Sequence, residues 1–188
     1  MPDADAVLQD RRGRTVLRFE RALTHPPERV WRALTQLDDL RAWHPSPFEL
    51  EPLLGGTVRY LPPDGAAFGE GQVTEYDPPR VLAYTWGDDL LRWELEPRDD
   101  GSLLVLTHTF DDRFKAARDA AGWHLCLDAL VASLAGTKPA SQEAGGLPPA
   151  WQELNRAYEE RFGIPRDKAT PPPREAMDAD ESRVRADQ

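Results

Sequence analysis

Apolar residues recur at two different spacings along this chain, and the change of spacing outlines its elements. From residue 26 to 43 they fall three or four apart, with Val30, Leu34 and Leu37 on one face and Trp31 beside them. Between residues 48 and 110 they fall mostly two apart, and from 112 to 135 the helical spacing returns with Trp123, Leu127, Leu130 and Leu134. The first stretch predicts a helix opened by Pro26-Pro27, where proline suits the first turn. A second short helix follows, capped by Asp38 or Asp39 and stopped at Trp43 by Pro45 and Pro47. Residues 15–23 precede them as a first strand, rich in β-prone residues.

Six strand-length segments occupy the middle, at 48–51, 57–61, 68–76, 80–86, 90–96 and 102–110. Turn signals such as Gly55-Gly56, Asp77-Pro78-Pro79 and Asp99-Asp100-Gly101 separate them. Connections this short join antiparallel neighbours. The order of strand, two helices, six strands and one long helix therefore predicts an α+β fold. In it a bent antiparallel sheet of about seven strands packs on a long C-terminal helix.

Alternation sets which side chains face that helix. Leu91, Trp93 and Leu95 alternate with Arg92 and Glu94, and Leu82, Tyr84 and Trp86 form the matching inward set. The last strand is apolar on both faces. Matching its register to its neighbours puts Leu106, His108 and Phe110 opposite Trp123, Cys126 and Leu130. Gly122, just before the tryptophan, lacks a Cβ and is expected to let the helix approach the sheet closely.

The flanks are read differently. Residues 1–14 are polar and expected to be flexible, 15–136 form the domain, and 137–149 are a linker rich in Gly, Pro, Ala and Ser. Residues 150–163 predict an accessory helix. Trp151, Leu154, Tyr158 and Phe162 line one side of it and offer a face for the domain or for a protein partner. Residues 164–188 hold three consecutive prolines and few apolar groups, and disorder is expected.

Composition removes several functions. With 33 acidic against 23 basic residues the net charge is −10, which disfavours phosphate-directed nucleic-acid binding and docking on anionic membranes. A single cysteine permits no internal disulfide, and no secretory or membrane-spanning run is present. A cytoplasmic protein is expected.

Candidate chemistry is sparse. An inward-facing His108 could orient a ligand hydroxyl or carbonyl, or act as an acid or base. Alternatively, a nearby backbone carbonyl simply holds it. Cys126 would need a base to become a nucleophile. His124 cannot be that base, because residues two apart on a helix point to different sides. An inert buried thiol is the simpler reading. The four histidines fall on four different elements without metal-ligand spacing, so neither a metal nor another cofactor is expected. The pairs Asp38-Asp39, Asp88-Asp89, Asp99-Asp100 and Asp111-Asp112 all sit at turns or caps, where backbone N–H groups would satisfy them. What remains is aromatic surface. Trp43, Tyr84, Trp86, Trp93, Leu106, His108, Phe110, Trp123, Cys126 and Leu130 are expected to line a cavity between sheet and helix.

Several segments also resemble a known family. They are PPERVWRALTQLDDLRAWHP (26–45), PFELEPLLGGTVRY (47–60), GQVTEYDPPRVLAYTW (71–86), LRWELEP (91–97), GSLLVLTHTF (101–110) and GWHLCLDAL (122–130). In order and spacing they are similar to the activator-of-Hsp90-ATPase-homologue-1-like family of the START/Bet v 1-like (SRPBCC) superfamily. The resemblance covers residues 15–135 and implies the helix-grip fold, with an apolar cavity enclosed by sheet and helix. It implies a binding role for a lipid, polyketide or flavonoid-like molecule. It leaves open a polyketide cyclase or dehydratase-like enzyme, or a chaperone-modulating, stress-linked interaction domain. The eukaryotic namesake's stimulation of Hsp90 depends largely on a separate N-terminal domain, and only residues 1–14 precede the first strand here.

Overall fold

The computed structural model describes residues 6–44, 46–61, 69–137 and 149–171. Eight strands form one antiparallel sheet in the order β1-β2-β8-β7-β6-β5-β4-β3. They are β1 (Val7–Arg11), β2 (Arg14–Leu23), β3 (Phe48–Leu50), β4 (Thr57–Tyr60), β5 (Gly69–Asp77), β6 (Val81–Trp86), β7 (Asp89–Arg98) and β8 (Gly101–Phe110). Helices α1 (Pro27–Thr35) and α2 (Leu37–Leu40) lie between β2 and β3, and α3 (Ala116–Leu134) follows β8 after a short 3-10 turn. This is the expected helix-grip arrangement, with one strand more than expected.

The additional strand is β1, in the segment expected to be flexible. Arg12 and Gly13, with φ of 56° and 81°, make the two-residue turn that folds it back onto β2. Its sequence VLQDR shows little alternation because it is a polar edge strand, and backbone pairing rather than side-chain burial holds it.

Register settles the inward face. Across β2, β8 and β7, Leu17, His108 and Leu91 form one row, and Phe19, Leu106 and Trp93 the next. Leu82 extends the second row onto β6. All are buried, so β8 turns the expected face towards α3. Gly71 marks where the sheet tightens: a Cβ there would lie 2.1 Å from the Thr85 carbonyl oxygen. Gly122 behaves otherwise. A Cβ on it would meet no described atom within 4 Å, so the expected close approach of helix and sheet does not occur at that residue.

One cap expectation changes and another holds. Gln36, not an aspartate, precedes α2 without a side-chain cap; Asp39 instead lies 3.4 Å from Arg29 and 3.5 Å from Arg32. Asp112 does cap the 3-10 turn, accepting from the Phe114 N–H at 2.9 Å.

Helix α4 (Pro149–Phe162) packs on α3. Trp151, Tyr158 and Phe162 are buried and Leu154 is half-buried against the same core. Of the two expected destinations for this face, the domain or a protein partner, it takes the domain. The Tyr158 hydroxyl accepts from the Ala6 N–H at 3.2 Å and lies 2.9 Å from His124 Nδ1, joining the N-terminal segment, α3 and α4. Residues 164–171, part of the segment expected to be disordered, are placed against the domain. Ile164 is buried, and the Thr170 N–H donates to the Phe114 carbonyl at 3.1 Å. Most of the expected linker, 138–148, and the rest of the tail, 172–188, lie outside the described residues. No described helix is long and apolar enough to cross a membrane.

Candidate functional site

Trp123 is the hub of the interior. It projects from α3 to the sheet, where its ring centroid lies 5.7 Å from Trp86 and 5.6 Å from Trp93, edge-on to both. His44 stands 5.7 Å away and His108 6.1 Å. Trp43 continues the set from Trp93 at 5.7 Å, and Phe110 from His108 at 4.7 Å. Tyr84 joins by accepting the Trp93 indole N–H at 3.2 Å. Seven of the ten expected residues thus form one connected group of rings, with Leu106 and Leu130 fully buried in the same core. Cys126 is half-buried at its margin, and burial pushes its thiol up to about 12, leaving no thiolate for nucleophilic attack. At Trp123 helix and sheet meet through ring-to-ring contacts. Trp86, only partly buried, is the ring of this hub that keeps contact with solvent.

His108 is held by two side chains and not by a backbone carbonyl. Its Nε2–H donates to Asp89 Oδ2 at 2.8 Å, and its Nδ1 accepts the Trp123 indole N–H at 3.1 Å. Both ring nitrogens are committed, so the imidazole has no lone pair or proton to offer a substrate while these bonds stand. Asp89 was expected to bond its own turn. Instead it also takes the Lys115 ammonium at 2.8 and 2.6 Å, while that ammonium lies 4.8 Å over the Phe110 ring. Burial alone would push the Asp89 carboxyl up. The bonds and charges of His108 and Lys115 outweigh it and hold the group below its ordinary value.

Asp89, His108 and Asp119 bring three ligand atoms within 4.8 Å of one another. The Lys115 ammonium already lies among them, 3.8 Å from Asp119, which also accepts from Arg118 at 2.8 Å. A divalent ion would have to displace that lysine.

Three aromatic members escaped the sequence reading: His44, Phe48 and Tyr60. Tyr60 stacks on Trp86 at 5.9 Å and donates its hydroxyl proton to the Thr85 carbonyl. Phe48 packs 5.0 Å from Tyr84. His44 lies in the turn after α2, 5% exposed, with burial lowering its imidazole to about 3. A ring buried from an irregular turn belongs to no period, so only its place beside Trp43 could have signalled it.

The sequence profile described as activator of Hsp90 ATPase homolog 1-like protein matches residues 24–135. None of the curated proteins matches the chain. Among solved structures, the chain is similar to a Bordetella parapertussis protein, BPP1335, at 31% identity over 86% of this chain and 90% of that one, with a TM-score of 0.61. A conserved Enterococcus faecalis protein of unknown function, EF2215, gives 22% identity over 84% and 90%, with a TM-score of 0.69. CalU16 from Micromonospora echinospora gives 20% over 86% and 96%, with a TM-score of 0.67. The last two likenesses concern the fold alone.

Proposed function

Since the chain belongs to the activator of Hsp90 ATPase homolog 1-like family, we propose that it is a cytoplasmic receptor for a small, flat aromatic or otherwise apolar molecule. The site is the ring-lined region between the sheet and α3. The observation that carries this reading is the buried ring group around Trp123, one of whose members, Trp86, reaches solvent. Rings of this kind supply flat apolar surface. Covering about 200 Å² of ligand would contribute on the order of 5 kcal/mol before ordering costs. Because Trp123 already touches the sheet, binding requires the rings to part, and Trp86 has the least packing to lose. An enzyme using His108 is disfavoured, because both of its nitrogens are engaged within the fold.

Tryptophan fluorescence titrated with flat aromatic compounds, polyketides and fatty acids tests the reading. Saturable quenching that weakens in Trp86→Ala is the expected result; no response across the panel sinks it.

One observation favours a second reading, a protein-interaction role towards a chaperone. Leu53 and Leu54, in the turn between β3 and β4, are 55% and 68% exposed. Paired Leu53→Ser and Leu54→Ser changes would then abolish any effect on ATP hydrolysis by a bacterial Hsp90 homologue. No effect of the unmodified protein on that hydrolysis removes this reading.

A further inference from the structure

His44 is held from both sides. Trp43, its neighbour, donates its indole N–H to the Ala33 carbonyl at 2.9 Å and fixes the turn against α1. The Ser46 N–H donates to His44 Nδ1 at 3.1 Å. A neutral imidazole that accepts at one nitrogen carries its hydrogen on the other, so Nε2 is a donor. That donor is buried and has no hydrogen-bond partner among the described residues. Around it stand Trp43, Phe48, Trp86 and Trp123, with ring centroids 5.2, 5.2, 5.8 and 5.7 Å from the imidazole.

An unmade bond of this kind works against the fold, whereas phenylalanine would fill similar space without the unmet donor. The contrast with the neighbouring groups is sharp. The indole N–H groups of Trp43, Trp93 and Trp123 and both nitrogens of His108 all have partners. Among the buried side-chain polar atoms of the described residues in this ring group, His44 Nε2 alone is left over, and four aromatic rings stand within 5.8 Å of its imidazole.

We propose that the His44 Nε2–H is the polar anchor of the ligand site. The molecule it receives is a flat aromatic compound with a neutral acceptor oxygen, such as a ketone or quinone. This rests on the receptor reading above and narrows its ligand class. The aromatic body lies against Trp123 and Phe48, Trp86 gives way to admit it, and the oxygen accepts from Nε2. A carboxylate or an amine is disfavoured by the same surroundings, because among the described residues no ion pair reaches this ring and burying an unpaired charge is costly. A plain hydrocarbon fits the rings but leaves the donor unmet.

The test uses a pair of compounds of nearly identical shape, 9-fluorenone and fluorene, titrated into the full chain by calorimetry. Fluorenone is expected to bind about tenfold more tightly, the worth of one buried neutral hydrogen bond. In His44→Phe the two should bind equally, through loss of fluorenone affinity with fluorene unchanged. His44→Gln, which keeps an N–H at a similar reach, should recover part of the preference. A measurement on the unaltered protein covers the case in which His44→Phe fails to fold. The Nε2–H proton resonance should move downfield with fluorenone and stay in place with fluorene. Equal affinities in the unaltered protein, or a resonance that fluorenone does not move, overturn the anchor and leave the apolar receptor standing. Absence of binding by either compound overturns both.

Discussion

Two buried histidines flank Trp123, and they are treated in opposite ways. At one end His108 is gripped by Asp89 and by the Trp123 indole, with Lys115 neutralising the carboxylate behind it. At the other end His44 is surrounded by rings, neutralised by burial and left with an unmet donor. The first is a closed polar network, which rigidifies a core when every member is satisfied. The second is an open valence inside an aromatic group. Burial alone therefore does not distinguish these two histidines; the count of partners does.

The sharpest way to break the comparison is to remove the closed network. His108→Phe leaves Asp89 short of one donor and the Trp123 N–H without an acceptor, and is expected to cost about 3 kcal/mol in urea unfolding. His44→Phe should cost less than 1 kcal/mol at neutral pH, since one orphan disappears while the Ser46 N–H loses its acceptor. Equal losses from the two changes would erase the distinction.

Acid separates the two ends further. Burial depresses the His44 imidazole to about 3, whereas the unfolded chain takes up that proton from about pH 6.5 downward. The unfolded state binds more protons between these limits, so stability falls as pH drops from 6.5 towards 3. The slope is about 1.4 kcal/mol per pH unit in the middle of that window. His44→Phe should abolish this slope, as measured by urea unfolding between pH 6 and 4.

Asp89 acts lower. Its carboxyl is held below the ordinary value, so its contribution is present above about pH 4, the unfolded value, and is lost as pH falls through the folded one. Asp89→Asn should flatten only that acid limb and leave the limb above pH 5 unchanged.

The smallest expected effect lies on the helix that both ends share. Gly122 precedes Trp123, has room for a Cβ, and costs helix propensity. Gly122→Ala should raise stability by up to about 1 kcal/mol. A loss instead would mean that the helix needs glycine there for a reason other than close approach.

Much of the architecture was legible because it repeats. The period of two in β6, β7 and β8 identified the inward residues Leu82, Tyr84, Leu91, Trp93, Leu106 and His108, and the helical spacing of Trp123, Leu127, Leu130 and Leu134 identified α3. β1 was not legible, because a polar edge strand is held through its backbone and carries little pattern. α4 was legible as an amphipathic helix, but its destination was not: an apolar face looks the same whether a partner or α3 covers it.

The linear order of residues determined the strands and helices and which of their faces are apolar, since these follow from near-neighbour geometry and from water's rejection of apolar surface. Only the folded chain decided how each polar group is matched. Asp89 meets His108 because β7 and β8 pair in one register and Lys115 comes round in the following turn. His44 meets Trp86 and Trp123 because three separate elements converge there. Hydrogen bonds are short-ranged and directional, so their partners are set by positions in space that no local spacing encodes.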